Sequence, residues 1–307
     1  MNLPHPQAFY FPVNPRPLVM KPGFQTMGTD FGNGDRDQLF FQKDDLFSKY
    51  QRVKEQIDSQ RHWTVYTHYL HLQLHLKALE WMIHTQQTEL NLPPLQEHLK
   101  LCQTLRSFLE KGSDAWTSFS PQWGIELGQM YRTLALRVQE DIALLANQPT
   151  SSLIMGHISM PSFWDPQRIQ GASFWDIHKP VPDFPKNKQL AERLGGYIAT
   201  KGPFVRFVWT ITNDDRLDHH PQGGRTPWSS HHPLWLRVER QITIPFEGLG
   251  ALFLIRTYLY PFDDLNSTHW DIVRQALCTM SIPIAQYKGL EGGREMIIQN
   301  LQHRLCM

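Results

Sequence analysis

The sequence predicts an α+β fold, with a helical stretch first and an antiparallel sheet with interspersed helices after it. Three observations carry this. Apolar residues recur at three- and four-residue spacing as far as about residue 147. Beyond residue 150 the period shortens to two. Two of the strands expected there, near 234–244 and 250–260, flank a turn centred near Gly248, as a hairpin requires.

Residues 1–42 read as an extended arm, punctuated by Pro4, Pro6, Pro12, Pro15 and Pro17 and by Phe31-Gly32-Asn33-Gly34-Asp35. No strand precedes this glycine run and no Gly-Lys-Ser/Thr follows it, so a tight turn docking the arm is expected rather than a phosphate loop. Residues 43–149 form the helical region. A helix over about 62–86 is apolar on two sides, with Trp63, Tyr66, Leu70 and Leu74 against Leu72, Leu79, Met82 and Ile83. A second helix is expected from Ile125 to Ala146, because Leu127, Tyr131, Leu134, Val138, Ile142 and Leu145 share one stripe, and Gln148-Pro149 stops it. Residues 150–307 form the sheet region, with strands near 152–160, 203–213, 234–244 and 250–260. Helices are expected near 187–200, 267–279 and 291–304. The three stretches are expected to make one compact unit.

Hydrophobic residues make up 41% and charged residues 19%, as in folded globular chains. The net charge of +1 provides no field to recruit nucleic acid or an anionic membrane. Three separated cysteines, Cys102, Cys278 and Cys306, exclude a disulfide framework and a four-Cys cluster or zinc site, and fit a reducing cytoplasm. The prolines of the first twenty residues leave no signal-peptide apolar run, and the apolar stretch Gly248–Ile255 is too short to span a bilayer.

The most specific local feature is Asp176-Ile177-His178-Lys179-Pro180-Val181-Pro182. The prolines fix φ and press their predecessors toward extended geometry, so His178 would sit at the entry of a stiff segment that aims its imidazole. Axial ligation of a haem iron needs such an aimed, neutral ring; a surface or hinge histidine beside a rigid loop is the plain alternative. In Trp235-Leu236-Arg237-Val238-Glu239-Arg240-Gln241, alternation puts Arg237, Glu239 and Gln241 on one face and leaves Arg240 among the apolar residues of the other. Arg256 intrudes likewise between Leu254 and Tyr258. With the turn centred near Gly248, facing residues sum to 496, which opposes Arg240 to Arg256. Opposed like charges need an anion between them: haem propionates, or an Asp or Glu from elsewhere. Glu239 and Tyr258 are the other polar groups expected near this sheet, where a cationic amine would need a carboxylate or an aromatic face.

His68, His71 and His75 share a helical face that also carries Leu72, Leu79 and Ile83, so a packed or interface stripe competes with metal binding. The His-rich loop 218–232 reads as a mobile polar loop, with a lid over a pocket as the alternative.

These blocks together resemble the haem-dependent oxidative N-demethylases, the haem-carrying α subunits of dimethylamine monooxygenase-type complexes. The resemblance rests on ordered blocks over most of the chain. They are Phe31-Gly32-Asn33-Gly34-Asp35, Val138-Gln139-Glu140-Asp141-Ile142, Met160-Pro161-Ser162-Phe163-Trp164-Asp165-Pro166, Ile177-His178-Lys179-Pro180-Val181-Pro182, Trp235 to Gln241, Arg256-Thr257-Tyr258 and Tyr287-Lys288-Gly289. The loop 218–232 has no counterpart in the family pattern.

The resemblance implies a Per-ARNT-Sim-like sheet enclosing haem b, with His178 as iron ligand. It carries over Arg237, Glu239, Arg256 and Tyr258 as members of its motif. Catalytic roles for Arg237, Glu239 and Tyr258 are the hypothesis placed on that membership, and cofactor binding by Arg240 and Arg256 is the expectation from their facing register. The implied reaction is O₂-dependent oxidation of an N-methyl group of a small secondary amine, giving formaldehyde and a primary amine. This chain has no dinucleotide fingerprint and too few cysteines for an iron–sulfur cluster. The resemblance therefore assigns FMN, a [2Fe–2S] cluster and NADPH to a partner reductase, and tetrahydrofolate to a folate-binding partner that captures formaldehyde. A haem-based gas or redox sensor, or a non-catalytic haem-binding protein, is the alternative on such a fold.

Overall fold

The computed structural model describes residues 6–16, 22–60, 69–111, 116–118, 121–147, 151–184 and 187–306. In chain order the elements are β1 (Gln25–Thr26), α1 (Phe47–Gln60), β2 (Tyr69–His71), α2 (Leu72–Leu90), α3 (Gln96–Glu110), β3 (Trp116–Ser118), α4 (Pro121–Ala135), β4 (Asp141–Ala146) and β5 (Ser152–His157). There follow α5 (Phe174–His178), α6 (Lys188–Thr200), β6 (Phe204–Thr212), β7 (Trp235–Phe246), β8 (Gly250–Pro261), α7 (Ser267–Thr279), α8 (Ile282–Lys288) and α9 (Arg294–Cys306). The fold is α+β. Among the described residues no helix is long and apolar enough to cross a membrane.

Six strands form one antiparallel sheet in the order β1-β6-β7-β8-β4-β5, while β2 and β3 pair separately. The β7–β8 hairpin has the expected register: Arg240 is the Cα partner of Arg256, and Phe246 of Gly250. Glu247 (φ 50°) and Gly248 (φ 81°) turn the chain between them, the left-handed geometry that a glycine supplies without strain. Helix starts follow local chemistry: Ser173, Asn187 and Asn266 each accept a backbone N–H from the first turn of α5, α6 and α7.

Register separates the residues into two faces. One face carries Phe207, Arg240 and Arg256 in a row. Its Ile142, Leu144, Ile242 and Leu254 pack on Leu72, Leu79 and Met82 of α2 and on Leu127 and Leu134 of α4. Its Trp209, Val238, Tyr258 and Tyr260 pack on Val273 and Leu277 of α7 and Ile297 and Leu301 of α9. The arm is docked on this face. Tyr10 Oη donates to Asp37, Tyr260 Oη donates to the Ala8 carbonyl, and Asp37 also accepts from Phe31 N and Asn33 N, which fixes the expected turn.

Among the described residues the opposite face is closed tightly at its ends and more loosely between them. Leu145 packs against Ala191 and Ile198 of α6 at one end; Leu259, Met160 and Leu217 cluster at the other. Between them Arg206, Val208, Glu239, Gln241, Phe253 and Ile255 stay half-buried, although they sit in the middle of the sheet.

Three expectations are corrected. The helix predicted over Ile125–Ala146 ends at Ala135, and Asp141–Ala146 is instead a strand at the heart of the sheet, pairing both β5 and β8. All six of its residues are buried, and a strand apolar on both faces has the same apolar density as a buried helix. The expected helix over 62–86 begins at Leu72, after the strand Tyr69–His71; residues 61–68, His68 among them, lie outside the described residues. His178 does not enter an extended segment but ends the five-residue helix α5, whose start the Ser173 cap fixes; α8 was not anticipated.

Candidate functional site

The half-open face is floored by Val208, Phe253 and Ile255 and roofed by α5 with the loop leading to α6. In the roof, Phe174, Trp175 and Phe184 join the cluster containing Leu145 and Phe253. Ile177 and Trp164 join the one containing Ala143 and Ile255. His178 belongs to this roof. Its ring lies 4.1 Å from that of Phe174 and is stacked 5.3 Å from that of Phe184 (centroid distances). Its Nδ1 donates to the Phe174 carbonyl at 2.8 Å. A carbonyl only accepts, so the proton resides on Nδ1 and the Nε2 lone pair remains available. Burial lowers the ring's pKa to about 4, against the opposing effect of the Phe174 carbonyl, so the imidazole is neutral at pH 7. A neutral ring, fixed in tautomer and held by aromatic packing, is the state that ligates iron.

Two charged groups from other elements, Glu239 and Arg206, meet on the same face, with the end of α8 beside them. Glu239 Oε2 accepts from Gln241 Nε2 at 2.9 Å, and its Oε1 lies 3.9 Å from Arg237 Nε. Arg206, the Cα partner of Gln241, is near enough to His178, Glu239 and Tyr287 to act on them electrostatically. Tyr287 and Lys288 arrive from the end of α8, where Thr210 Oγ1 donates to the Lys288 carbonyl across the free part of β6. Burial lowers the Lys288 pKa to about 8, with Glu239 opposing.

The six residues expected to share one site divide between the two faces. His178, Arg237 and Glu239 belong to the half-open side. Arg237 is buried at its edge, donating to the carbonyls of Leu217 (3.0 Å) and Met160 (2.7 Å). Arg240, Arg256 and Tyr258 lie on the opposite face beneath the arm. Arg256 Nη2 donates to Asp44 Oδ2 at 2.7 Å, Arg240 Nη2 donates to the Leu39 carbonyl at 2.7 Å, and Tyr258 Oη donates to Gln42. Of the two facing arginines, Arg256 is thus neutralised by Asp44, while Arg240 is satisfied by a backbone carbonyl. Gln139 holds Asp44 through two bonds of 2.9 Å, and Glu140 accepts from Gln42 N, so the Val138–Ile142 block serves arm docking.

Arg206 was missed by sequence reasoning. Its signal was its alternate position in the strand near 203–213, unreadable until the β6–β7 register joins it to Gln241. The loop 218–232 is pinned by Asp214. Burial presses that carboxyl upward, but hydrogen bonds from His219 (2.8 Å), Thr226 (2.5 Å) and Arg216 (3.2 Å) outweigh it and hold the carboxyl well below its usual range. Of the histidine stripe, His71 accepts from Leu74 N, and the buried His75 bonds Tyr131 Oη at 3.0 Å. Among the described residues no cluster of three or more His, Cys, Asp or Glu is placed to hold a metal ion.

A porphyrin needs an apolar slot, an aimed imidazole and a cation for its carboxylates; the half-open face has Val208, Phe253 and Ile255, His178, and Arg206, so the residues fit the group. No curated protein matches the chain. A family model described as haem-dependent oxidative N-demethylase, alpha subunit-like, matches residues 114–298, which contain β4 to β8 and every residue of the half-open face. The match covers more than half of the 307 residues, and the chain belongs to that family.

Proposed function

We propose that this chain is the haem b-binding subunit of a cytoplasmic enzyme that oxidatively demethylates a small, dimethylamine-like secondary amine. The observation that carries the reading is His178: Nδ1 bonded to Phe174, Nε2 without a hydrogen bond among the described residues, ring clasped by two phenylalanines over the half-open face. His178 would hold the iron, with Val208, Phe253 and Ile255 against the porphyrin. The strand order also supports a Per-ARNT-Sim-like sheet. Numbering β4 to β8 as one to five, they run 2-1-5-4-3 across it, with α5 and α6 inserted between the second and third.

In this reading Glu239 binds the ammonium of the substrate, and its fixed bond to Gln241 leaves Oε1 to face the cation. Arg237, held by two carbonyls, keeps that oxygen from turning away. The roof of Trp175, Phe174 and Phe184 excludes water from the slot. Haem bound here supplies O₂ activation and oxidation of the N-methyl group, with release of formaldehyde and a primary amine. Electrons come from a partner reductase carrying FMN and a [2Fe–2S] cluster and using NADPH; a tetrahydrofolate-binding partner takes the formaldehyde. Arg240, Arg256 and Tyr258 serve the arm rather than the substrate.

The test is aerobic turnover. Purified protein loaded with hemin should show an intense Soret band and release formaldehyde from dimethylamine when a reductant is supplied. A ligand-dependent spectral change without turnover would indicate a sensor, and a protein that stays colourless with hemin in excess would end the reading.

A further inference from the structure

Every other Lys or Arg that is buried or half-buried among the described residues ends on a protein acceptor. Lys54 donates to the carbonyls of Ala135, Val138 and Glu140, Arg237 to those of Leu217 and Met160, and Arg240 to that of Leu39. Arg256 donates to Asp44 and Lys288 to the Trp209 carbonyl. Arg206 is the exception. It makes no hydrogen bond or ion pair to a described residue, and its Nε is shut off from solvent without a partner. Glu239 acts on it only at a distance, with no hydrogen bond or ion pair between the two. A guanidinium with its Nε shielded, its two terminal nitrogens reaching the open side of the face and no acceptor among the described residues is placed to receive an anion from outside the chain.

The kind of anion follows from position. Arg206 lies on the half-open face beside an apolar floor and acts electrostatically on His178. A flat ligand whose centre meets the imidazole and whose edge bears carboxylates would satisfy both residues. Resting on the haem site proposed above, we infer that Arg206 is the propionate anchor of this chain, its planar fork receiving a porphyrin carboxylate. Sequence had offered Arg240 and Arg256 for that role, but those two already have acceptors on the other face.

The experiment compares hemin with its dimethyl ester, in which both carboxylates are masked, and follows transfer of each from the loaded protein to excess apomyoglobin. Arg206→Ala should speed hemin loss roughly tenfold to a hundredfold, the loss expected of a charge-assisted bond, while leaving the ester unaffected. Arg206→Lys should restore only part of the retention, because an ammonium cannot pair bidentately. Circular dichroism and melting of the apoprotein check folding, and Arg206→Gln, which keeps most of the volume, replaces the alanine variant should that one not fold. Equal hemin loss from wild type and variant, with hemin held well by both, overturns the anchor and leaves the haem site standing. A variant that keeps hemin but loses the spectral response to N-methylglycine assigns Arg206 to a substrate carboxylate and also overturns it. Wild-type protein that takes up neither porphyrin ends both.

Discussion

Arg240 on β7 and Arg256 on β8 stand directly opposite each other as Cα partners, and Asp44, two residues past the arm, answers Arg256 at 2.7 Å. Both members of that ion pair are nearly inaccessible, Asp44 at 6% and Arg256 at 1% side-chain exposure. Removing the carboxylate leaves two buried cations facing each other. Asp44→Ala should therefore cost about 3–5 kcal/mol in urea unfolding. Adding Arg256→Met to that variant should recover much of the loss, and a double variant no more stable than Asp44→Ala would show that the arginine pair is not the cause.

His178→Ala should abolish the Soret band of hemin-loaded protein or weaken retention severely, with the apoprotein still folded. Free imidazole should restore part of the absorbance by filling the vacated position. Normal haem content and an unchanged ferrous spectrum in the variant would refute ligation by this residue.

Glu239→Gln removes the negative charge from a carboxylate that Gln241 holds and Arg237 flanks. KM for dimethylamine should rise by roughly tenfold or more, or turnover should slow, while the haem spectrum stays that of wild type. Identical kinetics would take Glu239 out of the amine pocket.

The hairpin that frames these residues was legible because Trp235 to Gln241 alternates, Arg256 interrupts an apolar run, and a turn centred near Gly248 sets the facing sum at 496. β4 was not, because Ile142-Ala143-Leu144-Leu145-Ala146 is buried on both sides and its period disappears. The half-open face was visible only in part. Glu239 and His178 could be singled out by type and by flanking prolines, but their shared side depends on how α5 folds back. Arg206 carries no local mark, since its meaning arises from an acceptor that is missing, and a missing partner is a property of three dimensions. Tyr258 shows the opposite error: its block is informative, yet parity of one residue sends it to the other side of the sheet from Glu239.

Tyr258→Phe accordingly tests the division between faces. The hydroxyl bonds Gln42 beneath the arm, so its loss should lower stability by about 1 kcal/mol, read by urea unfolding, and leave kcat and KM for the amine unchanged. A fall in kcat at full haem loading would move Tyr258 into the chemistry.

Acid should weaken the fold through histidines kept neutral. Burial brings His75 from its usual 6.5 down to about 3 and holds His157 well below its usual value. Between those limits the unfolded chain binds protons that the folded chain refuses, so this contribution is complete above pH 6.5 and is lost as pH falls. Each such group contributes up to about 1.4 kcal/mol per pH unit. Urea unfolding at pH 6 and pH 4.5 should show a shallower decline for His75→Phe than for wild type, by about one proton. The same slope in both would mean that His75 does not titrate in this way.

The docked arm also sets how far the polypeptide can be trimmed. A version starting after Asp44 would retain every residue of the half-open side, yet Arg240, Arg256 and Tyr258 would lose their acceptors in Leu39, Asp44 and Gln42 at one stroke. Dissection at that seam should yield an insoluble or protease-sensitive remnant rather than a minimal haem module, so the first forty-four residues belong in any expression trial.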